Sequence, residues 1–351
     1  MKALAVKYRP HDWASVTEQD SVCKILNNQI STKTIRNGYL FCGGAGTGKT
    51  TCARIFAKQI NNGKGEPIEL DAASNNSVED VRKVIEQAQT QSLDSEYKVF
   101  ILDECHSLSS QGWQAMLKTL EEPPAKSVFI FCTTNPERIP NTILSRVQRF
   151  NFQRISQSGI IKRLKYILDE EINSGRNITY ELPAVELIAK IADGGMRDAI
   201  TLTDKCLSYS AELTTDTVVK ALGIADYDVM IRLTNAVLGN KVRDVIDILN
   251  GVHKTGIDLK QFIKNYFEYI LDVNILHITH DPDDTKLPDN VAKLELSKKF
   301  DVSQSQDYSA LLNFLVDLQP KIKWEQNAKA VSIAEFMVFM DNYFKGRMTS
   351  E

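Results

Sequence analysis

The chain has 351 residues, 43% of them apolar and 25% charged, with a formal net charge of -3, which leaves room for two or three domains of ordinary size. No apolar run approaches the roughly 18 residues that span a bilayer, and Lys2, Lys7 and Arg9 are followed by His11 and Asp12 rather than by the apolar core of a leader peptide; a cytoplasmic protein with no membrane contact is expected. The near-neutral charge argues against a protein that coats nucleic acid nonspecifically, while leaving room for a local basic surface.

Taken in chain order, short apolar runs alternate with helix-like segments between about Gly38 and Phe152, the pattern of a parallel sheet with crossover helices. "GYLFCG", "PIELDAAS", "YKVFILDE" and "SVFIFCTTN" are expected as central strands, since nearly continuous apolar residues suit a sheet covered on both faces. Ligands of such sheets sit at the carboxyl ends of the strands. Here those ends carry a glycine-rich loop, Asp103 with Glu104, and Thr133 to Asn135. After Phe152 the strand signal fades. Residues 159–222 read as helices, with Ile188, Ile191 and Ala192 on one face ahead of a "GGMRDAI" turn. From about Asp226 the chain reads as wholly helical: Leu259, Phe262, Ile263, Tyr266, Phe267, Ile270 and Leu271 recur at helical spacing, as a core stripe or a subunit interface. "THDPDDTKLPDN" breaks this region into two halves.

The six cysteines (Cys23, Cys42, Cys52, Cys105, Cys132, Cys206) are nowhere two or three residues apart, so neither a metal knuckle nor a redox pair is visible. They are expected to be reduced and mostly buried. Cys105, although beside two carboxylates, reads as a small apolar filler.

The loop "GGAGTGKT" fits G-x-x-x-x-G-K-[ST] through Gly43, Gly48, Lys49 and Thr50, and lies between an expected strand and an expected helix. Backbone amides along Gly43, Gly44, Ala45, Gly46, Thr47, Gly48, Lys49, Thr50 and Thr51 would turn toward phosphate oxygens. Lys49 would place its charge on the β and γ groups, and Thr50 would offer a hydroxyl to Mg²⁺. "VFILDE" delivers Asp103, suited to hold Mg²⁺ through water, and Glu104, suited to orient or deprotonate an attacking water. Thr134 at the end of "SVFIFC" is a candidate contact to the γ-phosphate or that water. Arg146 in "ILSRVQRF" and Arg197 in "GGMRDAI" are candidates to neutralise charge that develops during transfer. A surface position is the plainer reading of either arginine alone.

Several longer words sharpen this. The ordered set "YRP", "GGAGTGKTTCARIFAK", "ELDAASNNSVEDVR", "FILDECHSLSSQGWQAMLKTLEEPP", "FCTTNPERIPNTILSRVQRF" and "GGMRDA" resembles the bacterial DNA polymerase III gamma/tau subunits, ATPases of the AAA+ class that drive sliding-clamp loaders. The resemblance is dense over about residues 5–205 and holds only in outline beyond. It implies an α/β fold: an AAA+ P-loop parallel sheet domain over 1–155, a small helical lid domain over 156–224, and an all-α collar domain over 225–351 that joins a pentamer. It implies that Tyr8, Arg9 and Pro10 lie near adenine, that Thr134 is a first sensor and Arg197, on the lid, a second, and that Arg146, beside Ser145, acts in trans on a neighbour's ATP. The expected cofactors are ATP and Mg²⁺; the expected partners are a sliding clamp, primer-template DNA and other clamp-loader subunits. Helices bearing Arg82 and Lys83, and Lys118, would face the DNA.

Two features depart from the family pattern. The four-cysteine zinc module expected between the loop helix and "DAAS" is missing, so no zinc is expected, and Val147 stands where the finger motif usually has Cys. A compact form of the phage or mobile-element kind is the expectation. Two other function classes remain open at this stage: an AAA+ ATPase that remodels DNA or replisome complexes without a clamp, and a non-catalytic stator subunit, against which the intact Lys49, Thr50, Asp103 and Glu104 speak.

Overall fold

The computed structural model describes residues 3–92, 94–222, 227–254, 257–285, 287, 289–297 and 302–348. The chain divides into two compact units, Met1–Leu213 and Thr214–Glu351.

The first unit is built on five parallel strands, β1 (Gly38–Cys42), β2 (Ile68–Asp71), β3 (Lys98–Asp103), β4 (Ser127–Thr133) and β5 (Gln148–Asn151), in the order β2-β3-β4-β1-β5. Side chains alternate across the sheet because successive Cβ atoms point to opposite faces. Leu40, Phe100, Leu102, Phe129 and Phe131 therefore pack on one side with the helices Val78–Ala88 and Ser110–Glu121. Tyr39, Phe41, Val99, Ile101, Val128 and Ile130 pack on the other with the helices Asp20–Ser31 and Lys49–Ile60. Every residue of β1 and β4 is buried, as expected for the middle of a doubly covered sheet.

Two expectations about the sheet need correction. "PIELDAAS" supplies an edge strand rather than a central one: β2 pairs only with β3 in the sheet order, and its residues alternate between half-buried and exposed. A fifth strand, β5, was not expected; only Phe150 of its four residues is buried, so the segment carries no apolar run to read.

Three helices of this unit start at a serine whose side chain satisfies a free amide. Ser77 Oγ accepts from Asp80 N, Ser109 Oγ from Gly112 N and Ser156 Oγ from Gly159 N. Gly112 also lets two helices touch, since a Cβ there would lie 3.2 Å from Val81 Cγ2. Beyond β5 come the helices Gln157–Asn173, Leu182–Ile191 and Met196–Tyr209. A small parallel pair, β6 (Thr179–Tyr180) and β7 (Glu212–Leu213), corrects the purely helical reading of this region. Ile188 and Ala192 are buried as expected, whereas Ile191 is exposed.

In the second unit, Thr215–Leu222, Tyr227–Leu238, Val242–Lys254, Leu259–Thr279, Asp289–Leu296, Val302–Lys323 and Ala328–Met348 are helical. Phe262, Ile263, Tyr266, Tyr269, Ile270, Val273 and Leu276 form the centre of its core, so the long stripe is internal packing; Leu271, read as part of it, is exposed. The helix Thr215–Leu222, attached to the lid in the sequence reading, clusters with this unit. The expected boundary at 224/225 lies outside the described residues. Five of the six cysteines are buried, Cys23 is half-buried, and all six are free thiols. Burial pushes the Cys105 thiol well up, in keeping with a filler. Among the described residues no helix is long and apolar enough to cross a membrane.

Candidate functional site

The carboxyl ends of β1 and β3 open onto a cavity of about 610 Å³. Its wall collects Tyr8, Arg9 and Pro10 from the N-terminal segment, Ala45 to Thr51 from the glycine-rich loop, Asp103 and Glu104 from the end of β3, and Met196 and Arg197 from the start of a helix in the 156–213 region. Most of the residues singled out in the sequence thus meet at one place.

The loop is held by its own chemistry. Gly46 and Gly48 have φ of +70° and +99°, values that L side chains adopt only under strain. Gly43 sits so close to the segment after β5 that a Cβ would lie 2.4 Å from Phe152 O. Its amide donates to Thr133 O, which keeps Gly43 and Gly44 behind the cavity wall as the loop's footing. Lys49 is 6% exposed, and its Nζ donates to Gly43 O at 2.9 Å and Gly44 O at 2.7 Å. Burial pushes the Lys49 ammonium down, against the opposing pull of Glu104 and Asp103. Thr50 Oγ1 donates to Asp103 Oδ2 at 2.8 Å. A hydroxyl and a carboxylate in contact form the hard oxygen set that suits Mg²⁺.

Glu104 occupies a left-handed backbone conformation (φ 45°, ψ 42°) as the chain leaves β3, at a cost of about 1 kcal/mol or more for a residue with a Cβ. That turn sends its carboxylate toward β4, where Thr134 Oγ1 donates to Oε2 at 3.0 Å. His106 Nδ1 lies 3.3 Å from the same oxygen and 3.1 Å from Thr133 Oγ1. Thr134 thus touches Glu104 without lining the cavity itself. His106 went unnoticed in the sequence, although a histidine two places beyond an acidic pair was the available signal.

The positive charges converge as well. Arg9 is pushed down by burial and then by the facing guanidiniums of Arg54 and Arg197. Arg54 pairs with Glu69 Oε2 at 2.5 Å on the same wall. Several cations around one concavity favour a polyanion. The contact with the 156–213 region is close: Met196 N donates to Gly46 O at 3.1 Å, and a Cβ on Gly46 would meet Gly195 Cα at 3.1 Å.

Arg146 stands apart from the cavity wall. It is exposed, with Nη2 on Glu121 Oε1 at 2.6 Å and Nη1 on Thr142 O at 2.7 Å and Ser145 Oγ at 3.0 Å. Arg82, Lys83 and Lys118 are exposed on the two helices that share the Gly112 contact.

Comparison with known proteins adds three family matches and several relatives. Residues 67–156 match "DNA polymerase III, delta subunit", 159–212 match "DNA polymerase III clamp loader subunit, ATPase lid domain", and 213–308 match "DNA polymerase III subunits gamma and tau domain III". The chain is 36% identical over 294 residues to the DNA polymerase III subunit tau of Bacillus subtilis, covering 78% of this chain and 51% of that one. It is 31% identical over 297 residues to the DNA polymerase III subunit gamma of Buchnera aphidicola, covering 78% and 79%. It spans about half the length of the tau and gamma/tau relatives from Bacillus subtilis and Mycoplasma genitalium. Among solved structures, the Thermotoga maritima RuvB Holliday junction branch migration motor superposes with a TM-score of 0.50 at 19% identity, over 72% of this chain and 86% of that one. At that identity the likeness is one of fold, the AAA+ arrangement of sheet and helices.

Proposed function

Since the chain belongs to the DNA polymerase III gamma/tau family, we propose that it is an ATP-hydrolysing subunit of a sliding-clamp loader acting on primer-template DNA. The observation that carries this reading is the convergence on one cavity of the glycine-rich loop, the Asp103–Glu104 pair and Arg197.

A triphosphate lies along the amides of Ala45 to Thr51, with the positive end of the helix Lys49–Ile60 behind it. Lys49 exchanges the carbonyls of Gly43 and Gly44 for β and γ oxygens. Thr50 and Asp103 would hold Mg²⁺, which when bound supplies neutralising charge to the phosphates. Glu104 leaves Thr134 to orient the attacking water and take its proton, so Thr134 sets when the base is released. Tyr8, Arg9 and Pro10 hold the adenine side. Arg197 brings the lid, taken as 156–224, onto the phosphates of its own subunit. Arg146, which does not line its own cavity, completes the site of a neighbouring subunit in a pentamer whose collar is formed by 225–351. Arg82, Lys83 and Lys118 meet DNA phosphates, which position a duplex without reading its sequence.

ATP drives such an assembly only by binding the clamp-opening arrangement more strongly than the relaxed one. The test is ATP turnover by the protein assembled with its neighbouring-gene products. Stimulation by primed DNA together with the cognate clamp, beyond that by DNA alone, is expected; equal stimulation by DNA alone overturns loading in favour of remodelling without a clamp.

A further inference from the structure

A buried carboxylate behind the cavity wall ties the adenine side of the cavity to the lid. Glu171, in the helix Gln157–Asn173, is 3% exposed. Its Oε1 accepts from Lys7 Nζ at 2.6 Å and from Tyr8 Oη at 2.7 Å, and its Oε2 from Arg176 Nη1 at 3.1 Å. An ionised carboxylate is retained at such burial only when donors compensate its lost hydration. Burial by itself would raise its pKa, yet the bonds from Lys7, Tyr8 and Arg176 outweigh that and hold it below the ordinary range.

Two of those donors come from the N-terminal segment, more than 160 residues away in sequence. The same segment is bound to the lid at two further points: Arg163 Nη2, on the helix of Glu171, donates to Tyr8 O at 3.0 Å, and Leu4 N donates to Asp204 Oδ2, on the helix Met196–Tyr209, at 3.1 Å. Leu4 itself is buried. The chain then passes through Arg9 and Pro10 on the cavity wall and reaches Trp13, whose Nε1 donates to Gln59 Oε1 on the helix that follows the phosphate loop. Residues 4–8 are thus fastened to the lid, and the change of allegiance falls between Tyr8 and Trp13. The adenine-side wall formed by Tyr8 to Pro10 is therefore tied at Tyr8 to the lid, which also supplies Met196, Arg197 and Ile200 to the same cavity.

From this arrangement we infer that Glu171 is a positioning residue for the nucleotide base: it fixes Tyr8, and through it Arg9 and Pro10, to the lid, so that the wall against the base keeps its place only while that carboxylate holds it. The inference rests on the reading of the cavity as an ATP site. It separates the ligand into two halves. The phosphates are held by the loop, which has no bond to Glu171, whereas the base is held by a wall whose placement depends on that carboxylate.

The test compares the Kd of ATP, ADP and inorganic tripolyphosphate for the wild-type chain, Glu171→Gln and Tyr8→Phe. Glu171→Gln keeps one acceptor oxygen and loses the charge that gathers Lys7 and Arg176. The expected result is a loss of ATP and ADP affinity of about tenfold to a hundredfold, the scale of one lost hydrogen bond to a charged group, with tripolyphosphate binding unchanged. Tyr8→Phe removes one donor and leaves the ion pairs of Glu171 with Lys7 and Arg176 in place, so it keeps the test open if Glu171→Gln fails to fold; it should show a smaller loss with the same selectivity for the nucleoside ligands. Parallel loss of ATP and tripolyphosphate would mean a merely structural role and would overturn the inference, as would unchanged ATP affinity in both variants. A wild-type chain that binds neither ligand removes the nucleotide site, and the inference falls with it.

Discussion

Replacing Arg146 by alanine separates two energies of very different size. Within the chain the side chain is 34% exposed and its main partner, Glu121, is 45% exposed, with 2.6 Å between them. An exposed pair of this kind contributes about 1 kcal/mol at most. For a unit of the size of Met1–Leu213, that is a fall in Tm of only about 2–4 °C. Against this, a guanidinium supplied to a transferring phosphoryl group in P-loop enzymes accelerates turnover about 10³–10⁵-fold, or about 4–7 kcal/mol at 1.36 kcal/mol per tenfold. Arg146→Ala should therefore leave the isolated chain folded and its ATP affinity unchanged, while ATP turnover by the assembled, DNA- and clamp-stimulated protein falls by about three orders of magnitude or more. Assembly must be confirmed by mass in the same samples, since lost association would imitate lost catalysis. A loss of equal size in the residual turnover of the isolated chain would place the residue in its own site and refute the reasoning; so would an assembled variant that turns over normally.

The other outcomes concern the loop and the buried carboxylate. Lys49→Ala should abolish ATP binding by equilibrium titration, because the one buried ammonium at the loop is removed, whereas Glu104→Gln should bind ATP normally and stall hydrolysis; normal turnover in the glutamine variant would take Glu104 out of the chemistry. The pH dependence follows from the depressed pKa of Glu171. A lowered folded pKa gives stability that is complete above the unfolded carboxylate value of about 4.3 and is lost as pH falls through the folded value. The thermal midpoint of the wild-type chain should therefore exceed that of Glu171→Gln at neutral pH, with the gap closing below about pH 4; a gap that persists unchanged to lower pH would show that the charge of Glu171 contributes nothing.

The parts of the site most legible in the sequence were those whose chemistry restricts residue type over a short span. The loop Gly43–Thr50 and the pair Asp103–Glu104 each announce a backbone shape or a charge that few other segments need, and both were found on the cavity wall or directly behind it. Long-range partners left no such trace. Glu171 reads as one more solvated position on an amphipathic helix, because the lysine and tyrosine that hold it lie at the opposite end of the unit. Glu121 gave no hint that it would pair with Arg146 for the same reason. The fold behaved similarly: β1, β3 and β4, buried on both faces, were plain, whereas β5 offers one buried residue, and β6 and β7, with two residues each, are too short for any periodicity. Ile191 and Leu271 sit at the margins of their helical stripes, where spacing alone does not decide between core and solvent.

The bonds of Lys49 to the carbonyls of Gly43 and Gly44 bear on how quickly the site can be filled. Because the ammonium already braces the loop in its curved form, an arriving anion swaps partners with a formed cradle instead of having to mould a slack one, and little conformational entropy is left to spend at capture. The toll falls on weak visitors: a lone sulfate or orthophosphate must displace two good acceptors while offering little in return. On the proposed function, a chain of three linked phosphates would span loop and lysine together, and the tether would act as a filter against short anions before any base has been read.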